Sequence, residues 1–154
     1  MSVNYQIDES VQQLCAWYGD GQDGSCPSAE QWRQVIERPA NKSITLINFF
    51  KFRQIAKYSQ AMNQNRDCIS GEAAFQQYAS VSIPTMERVG GKFLLVGPFD
   101  GMFLGEAEDW DLIAIGSYPD IQSFMGLYTD SDYRVAFQHR TAACERQKVI
   151  VCSG

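Results

Sequence analysis

Histidine is almost missing from this chain: His139 is the single copy in 154 residues. One imidazole cannot build a histidine metal cluster, and it leaves one ordinary candidate for proton transfer near neutral pH. Positive charge is also scarce, with 13 Lys and Arg against 18 Asp and Glu and a net charge of -5. No basic stripe is present to neutralise phosphates, so no nucleic-acid partner is expected. Long apolar runs are lacking, and the opening M-S-V-N-Y-Q-I-D-E-S has no basic segment followed by an apolar stretch. No signal peptide and no membrane partner are therefore expected, and the cytoplasm is the expected compartment. Cys15, Cys26, Cys68, Cys144 and Cys152 are odd in number, irregularly spaced and without a C-x-x-C pair. They read as mostly buried small hydrophobes in a reducing compartment, neither a disulfide framework nor a metal set. Asp20 to Asp23 does not complete a calcium loop, and Gly90-Gly91 follows a helix and precedes a strand, the wrong order for a phosphate loop. No metal and no cofactor are expected.

What is present suits one globular domain: 45% hydrophobic and 20% charged residues in a chain long enough to bury a core. The organising stretch is Ser43 to Phe52, S-I-T-L-I-N-F-F-K-F. Ile44, Leu46, Asn48, Phe50 and Phe52 fall on one face of a strand there, with Thr45, Ile47, Phe49 and Lys51 on the other. Both faces are mostly apolar, so each needs a cover.

In chain order, Asp8 to Tyr18 reads as a short helix. Gly19 to Pro27 reads as loop, and Ser28 with Gln31 as a capping box opening a helix through Trp32, Val35 and Ile36. This region, residues 1–42, is a helical extension to a core domain of residues 43–154. Between Lys51 and Cys68, Ile55, Tyr58, Ser59 and Met62 form a possible helical face. Ser70 caps a clearer helix through Phe75, Tyr78 and Met86, with a kink or break expected at Pro84 and an end at Gly90-Gly91. Lys92 to Phe99 is a second strand, continued by Asp100 to Gly105 after a turn. Glu106 to Asp109 is a solvated connection and Trp110 to Ser117 a third strand. Asp120 and Asp130 cap two successive helices, and Lys148 to Cys152 is the fourth strand. The order β-α-β-β-α-β gives an antiparallel four-stranded sheet with its helices on one face. The other face stays bare, which points to a homodimer, with the N-terminal extension as the rival cover.

Several blocks, in order, resemble one family: L-I-N-F-F-K-F-R (46–53), S-G-E-A-A-F-Q-Q-Y (70–78), V-G-G-K (89–92), W-D (110–111), Y-P-D-I-Q-S-F (118–124) and Y-R-V-A-F-Q-H-R-T-A-A (133–143). It is a domain-of-unknown-function family within the dimeric α/β-barrel, ferredoxin-like superfamily, and the resemblance covers about residues 43–152. It implies an α+β ferredoxin-like sandwich whose dimer joins two sheets into a barrel. The wider superfamily includes cofactor-independent monooxygenases, muconolactone isomerases and haem-binding proteins. The family carries no established reaction, so no site transfers residue by residue.

The candidate site residues each have two readings. Asn48 interrupts the key strand and either binds a ligand or satisfies a neighbouring backbone or tyrosine hydroxyl. Lys51, with Arg53, either pairs with a carboxylate substrate or faces solvent. His139 is the natural general base if Tyr118 or Asp130 orients it, and otherwise a helix-surface hydrogen-bonding group. Arg140 reads first as a salt bridge anchoring the last helix and second as an anion site. Two functions remain open. One is a dimeric barrel binding an apolar or aromatic oxygenated molecule. As a cofactor-independent monooxygenase or isomerase it would use His139 as catalytic base, with Asn48 or Arg140 stabilising oxyanion charge and Tyr118 and Lys51 among the ligand contacts. The alternative is a non-enzymatic dimeric interaction or regulatory module.

Overall fold

The computed structural model describes residues 2–63 and 67–154. Helix α1 (Val3–Tyr18) starts on a Ser2 cap, and α2 (Ala29–Ile36) on the capping box of Ser28 and Gln31, each side chain bonding the other's backbone. Strand β1 (Ile44–Phe52) follows, then a four-residue α3 (Gln60–Asn63). Helix α4 (Gly71–Arg88) is capped by Ser70, and Gly90 turns the chain with φ +99° into β2 (Lys92–Pro98). Strand β3 (Leu112–Tyr118), helices α5 (Ile121–Thr129) and α6 (Ser131–Ala143), and β4 (Cys144–Ser153) complete the chain.

The four strands form one antiparallel sheet in the order β2-β3-β1-β4. That is the ferredoxin-like arrangement, with α4 as the first crossover and α5–α6 as the second. Ile44 and Leu46 pack with Tyr78 and Met86 of α4, Phe124 and Leu127 of α5, and Tyr133 and Phe137 of α6. All three helices thus cover the same face. The opposite face carries Ile47, Phe49, Leu95, Ile113, Ile115 and Ile150, aligned by the ladder. None of them belongs to a buried cluster.

The expected dimeric α/β-barrel is corrected by this topology. The sheet is open, with β2 and β4 as two separate edges, and four strands are too few to curl edge to edge around a filled interior. The N-terminal extension does not cover the bare face either. Val11, Leu14 and Trp32 pack instead against Met125 and Tyr128 of α5, on the helical side, and the Tyr18 hydroxyl donates to the Tyr128 carbonyl at 2.6 Å.

Other expectations shift for local reasons. Pro84 does not break α4, because it lies on the helix's exposed side, where water can serve the carbonyl it leaves unpaired, and Thr85 Oγ1 donates to the Val81 carbonyl at 2.7 Å. Asp100 to Gly105 forms no strand: Gly101 and Gly105 take φ of +136° and +102°, leaving the ladder. The helical face of Ile55, Tyr58, Ser59 and Met62 is reduced to α3, and residues 64–66 of that stretch lie outside the described residues.

Asp130 closes α5 and caps α6. Its carboxylate accepts from the Tyr133 amide at 2.9 Å and pairs with Arg88 at 2.8 Å, and these contacts, the amide first, hold its pKa below the usual carboxylate range. A depressed folded pKa contributes stability that is complete above the unfolded value of about 3.9 and is lost as pH falls through the folded one. Asp130→Ala should cost about 1 kcal/mol in urea unfolding at pH 7. Asp130→Asn, which keeps a capping oxygen, should instead flatten the loss of stability below about pH 4.

Candidate functional site

Strand β1 and helix α6 deliver the polar groups that the sequence singled out, and the fold sorts them into separate places. Asn48 faces the helices, half-buried, and its Nδ2 donates to the Ala114 carbonyl at 3.0 Å and to the Leu46 carbonyl at 3.4 Å. Its amide is thus satisfied by neighbouring backbone. Tyr118 is buried against Phe124, ring centroids 5.2 Å apart, and burial pushes its phenol well above the ordinary range. Asn48, Tyr118 and Arg140 share one small space between sheet and helices, of about 60 Å³. Small-molecule sites run to about 300–1,000 Å³, so this space is far too small for an aromatic ligand.

Lys51 lies on the other side of the sheet. Its ammonium meets Asp109 at 3.0 Å and Asp111 at 3.5 Å, Asp109 being the first cause of its raised pKa. His139 lines neither this space nor the larger groove beside it. Its Nδ1 lies 2.6 Å from the Tyr58 hydroxyl, with the rings edge-on at 5.5 Å. Tyr58 is thus a partner of His139 that the sequence did not single out. The structure gathers three of the five predicted site residues and leaves His139 and Lys51 elsewhere.

Arg140 is the unusual group. It is 5% exposed, yet none of the ion pairs among the described residues includes it. Its Nε donates to Gln147 Oε1 at 2.8 Å and an Nη to the Tyr78 hydroxyl at 3.2 Å. Its guanidinium carbon lies 4.8 Å from the Phe50 ring centroid and 5.3 Å from that of Phe137. A buried cation is held here by neutral acceptors and π faces. Tyr78 also bonds Tyr133 at 2.8 Å, and desolvation raises the Tyr133 pKa well above normal. The roles of Tyr58, Tyr78, Tyr133 and Gln147 carried no sequence signal, because their partners are brought together only by the fold.

Among the described residues no cluster of three or more His, Cys, Asp or Glu side chains fits a metal ion, and no helix is long and apolar enough to cross a membrane. All five cysteines are free, but only Cys144 is fully buried and Cys68 is exposed. Burial pushes the Cys144 thiol up to about 11. Since the thiolate is the reactive form, a colorimetric thiol reagent at pH 8 should label Cys68 first. Cys68→Ser should remove that fast phase, and Cys144 should react only after unfolding.

A family model described as Domain of unknown function (DUF1330) matches residues 65–153. The match begins after β1, later than the residue 43 expected from the sequence blocks. No curated protein shows significant similarity. Among solved structures, the RPA0582 protein of unknown function from Rhodopseudomonas palustris is 31% identical with a TM-score of 0.74, over 84% of this chain and 95% of that one. The methylated RPA0582 protein gives 30% and 0.75, over 84% and 93%. A dimeric protein of unknown function and ferredoxin-like fold from Bacteroides fragilis is 14% identical with a TM-score of 0.45, over 73% of this chain and 96% of that one.

Proposed function

The chain belongs to the DUF1330 family, and from that premise we propose that it is a non-enzymatic module that pairs with a second copy of itself. The observation that carries this reading is the bare sheet face. Ile47, Phe49, Ile113 and Ile115 are half-buried there, Leu95 is 53% exposed and Ile150 41%. Covering the exposed remainder of each is worth roughly 1 kcal/mol, and no buried cluster of the described residues includes them, although the Trp110 ring packs on Phe49 at 5.6 Å. A contiguous apolar patch of this kind marks an association surface.

A second copy suits the patch better than a foreign partner because its rim carries both signs of charge. Lys51 with Asp109 and Asp111, and Lys148 with Glu108 at 2.7 Å, border the apolar centre. Arg146 stacks 4.6 Å over the Trp110 ring and donates to the Asp109 carbonyl. A rim with both charges can complement its own copy across a twofold axis. The small space beside Asn48, whose lining does not include His139, gives the enzymatic reading less support.

Sedimentation velocity across a hundredfold range of concentration tests the proposal. The expected result is a dimer that dissociates only on dilution and persists at high salt, as apolar contact requires. A monomer at every concentration would sink it.

A further inference from the structure

A groove of about 690 Å³ runs between the N-terminal extension and β4, on the helical side of the sheet. That volume is within the range of small-molecule sites. One wall comes from the loop at Cys26–Pro27 and from α2, and the other from Phe124, Tyr128, Phe137, Val149 and Val151. Arg140 is among the lining residues, so a buried cation borders an open, mostly apolar groove.

The charges lining it are one-sided. Arg38, Arg140 and Lys148 line the groove, and no Asp or Glu does, in a chain whose net charge is -5. Lys148 is neutralised by Glu108 and its ammonium sits 4.5 Å from the Phe49 ring, toward the other face of the sheet. Neither Arg38 nor Arg140 takes part in an ion pair among the described residues. Arg38 donates to Ser153 Oγ at 3.0 Å, while its buried Nε has no partner among the described residues. Gln147, which accepts from Arg140, also donates to the Ser25 carbonyl at 3.4 Å, tying the loop of the extension to the buried cation. Removing a guanidinium from water without a counter-anion is costly, and an anion entering from the groove would relieve that cost.

We propose that this groove binds an amphipathic organic carboxylate. The head group meets Arg140, with Arg38 adding to the positive potential, and the apolar body lies along Val35, Val149 and Val151. A guanidinium and a carboxylate match in a planar two-point contact, and the apolar walls exclude a bare inorganic anion as the preferred occupant. The groove lies across the sheet from the bare apolar face, so its occupancy does not depend on self-association.

Isothermal titration of the full chain tests this with decanoate and 4-phenylbutyrate, each beside its neutral amide, and with acetate as the head group alone. At least one carboxylate should bind about tenfold or more tightly than its amide, and acetate should not bind at the same concentrations. Preference for decanoate indicates a fatty chain as the natural body, and preference for phenylbutyrate an aromatic one. Arg140→Gln should weaken binding about tenfold or more, Arg38→Gln a few-fold, and Val149→Trp should block the groove. Should Arg140→Gln fail to fold, the other two variants decide, since Val149 is 41% exposed and Arg38 half-buried. Equal binding of acid and amide, binding of acetate alone, no binding below about 1 mM, or unchanged affinity in Arg38→Gln and Val149→Trp would each overturn the proposal. The sedimentation state of the same samples reports separately on pairing.

Discussion

Ile115→Asp is expected to abolish the proposed pairing and leave a monomer. Ile115 lies at the middle of the bare face, opposite Ile47 on one side and Leu95 on the other. A carboxylate there would be driven against the apolar face of the second copy, and a desolvated, unpaired charge costs several kcal/mol. Association should weaken by about a hundredfold or more. The isolated fold should tolerate the change, because Ile115 stays partly in water within a single chain. Circular dichroism should therefore be preserved. Ile83→Asp, an equally apolar but exposed position on α4, serves as the control and should leave the dimer intact. Loss of pairing in both variants would point to a general effect of added negative charge and remove the sheet face from the account.

The second large effect is expected at Trp32, which is 1% exposed and joins Val11 and Leu14 to the rings of Tyr18 and Tyr128 at 5.9 Å and 5.1 Å. Trp32→Ala removes the centre of this cluster, and such truncations cost about 3–5 kcal/mol. That is enough to detach α1 and α2 from α5 while the sheet stays folded. Hydrogen exchange should show protection lost in α1 and α2 and kept in β1 and β3. Trp32→Phe should cost much less. It preserves most of the apolar contact and removes an indole N–H that finds no acceptor among the described residues. If both variants lose the same stability, the cluster is not what holds the extension in place.

The parts of this molecule that were legible in the sequence are those written in short-range patterns. The two apolar faces of β1, the caps at Ser28, Ser70, Asp120 and Asp130, and the strand and helix order all follow from spacing within about ten residues. The barrel misled because closure depends on whether two distant edges meet, and no local residue pattern encodes that. The site fared similarly. Arg140 was visible as a candidate, but its partners Tyr78 and Gln147 are on α4 and β4. His139 was visible too, yet Tyr58 lies 81 positions away, in a stretch whose spacing suggested a helix. Trp32 and Val35 were legible as apolar positions of a capped helix, and nothing in their spacing shows that they also wall a groove.

The register shift between Phe93 and Leu95, and Pro98 at the end of β2, have a bearing on how copies of the chain meet. An outer strand that is locally out of step and lacks an N–H donor at its last position is a poor template for another strand. The far margin, β4, carries Glu145, Arg146 and Lys148, whose charges discourage lateral stacking of like on like. Growth strand by strand, the route to fibres, is thereby discouraged at both margins. Contact of the proposed kind, through the flat of the sheet, would consume the sticky surface of each copy once, so assembly would stop at two.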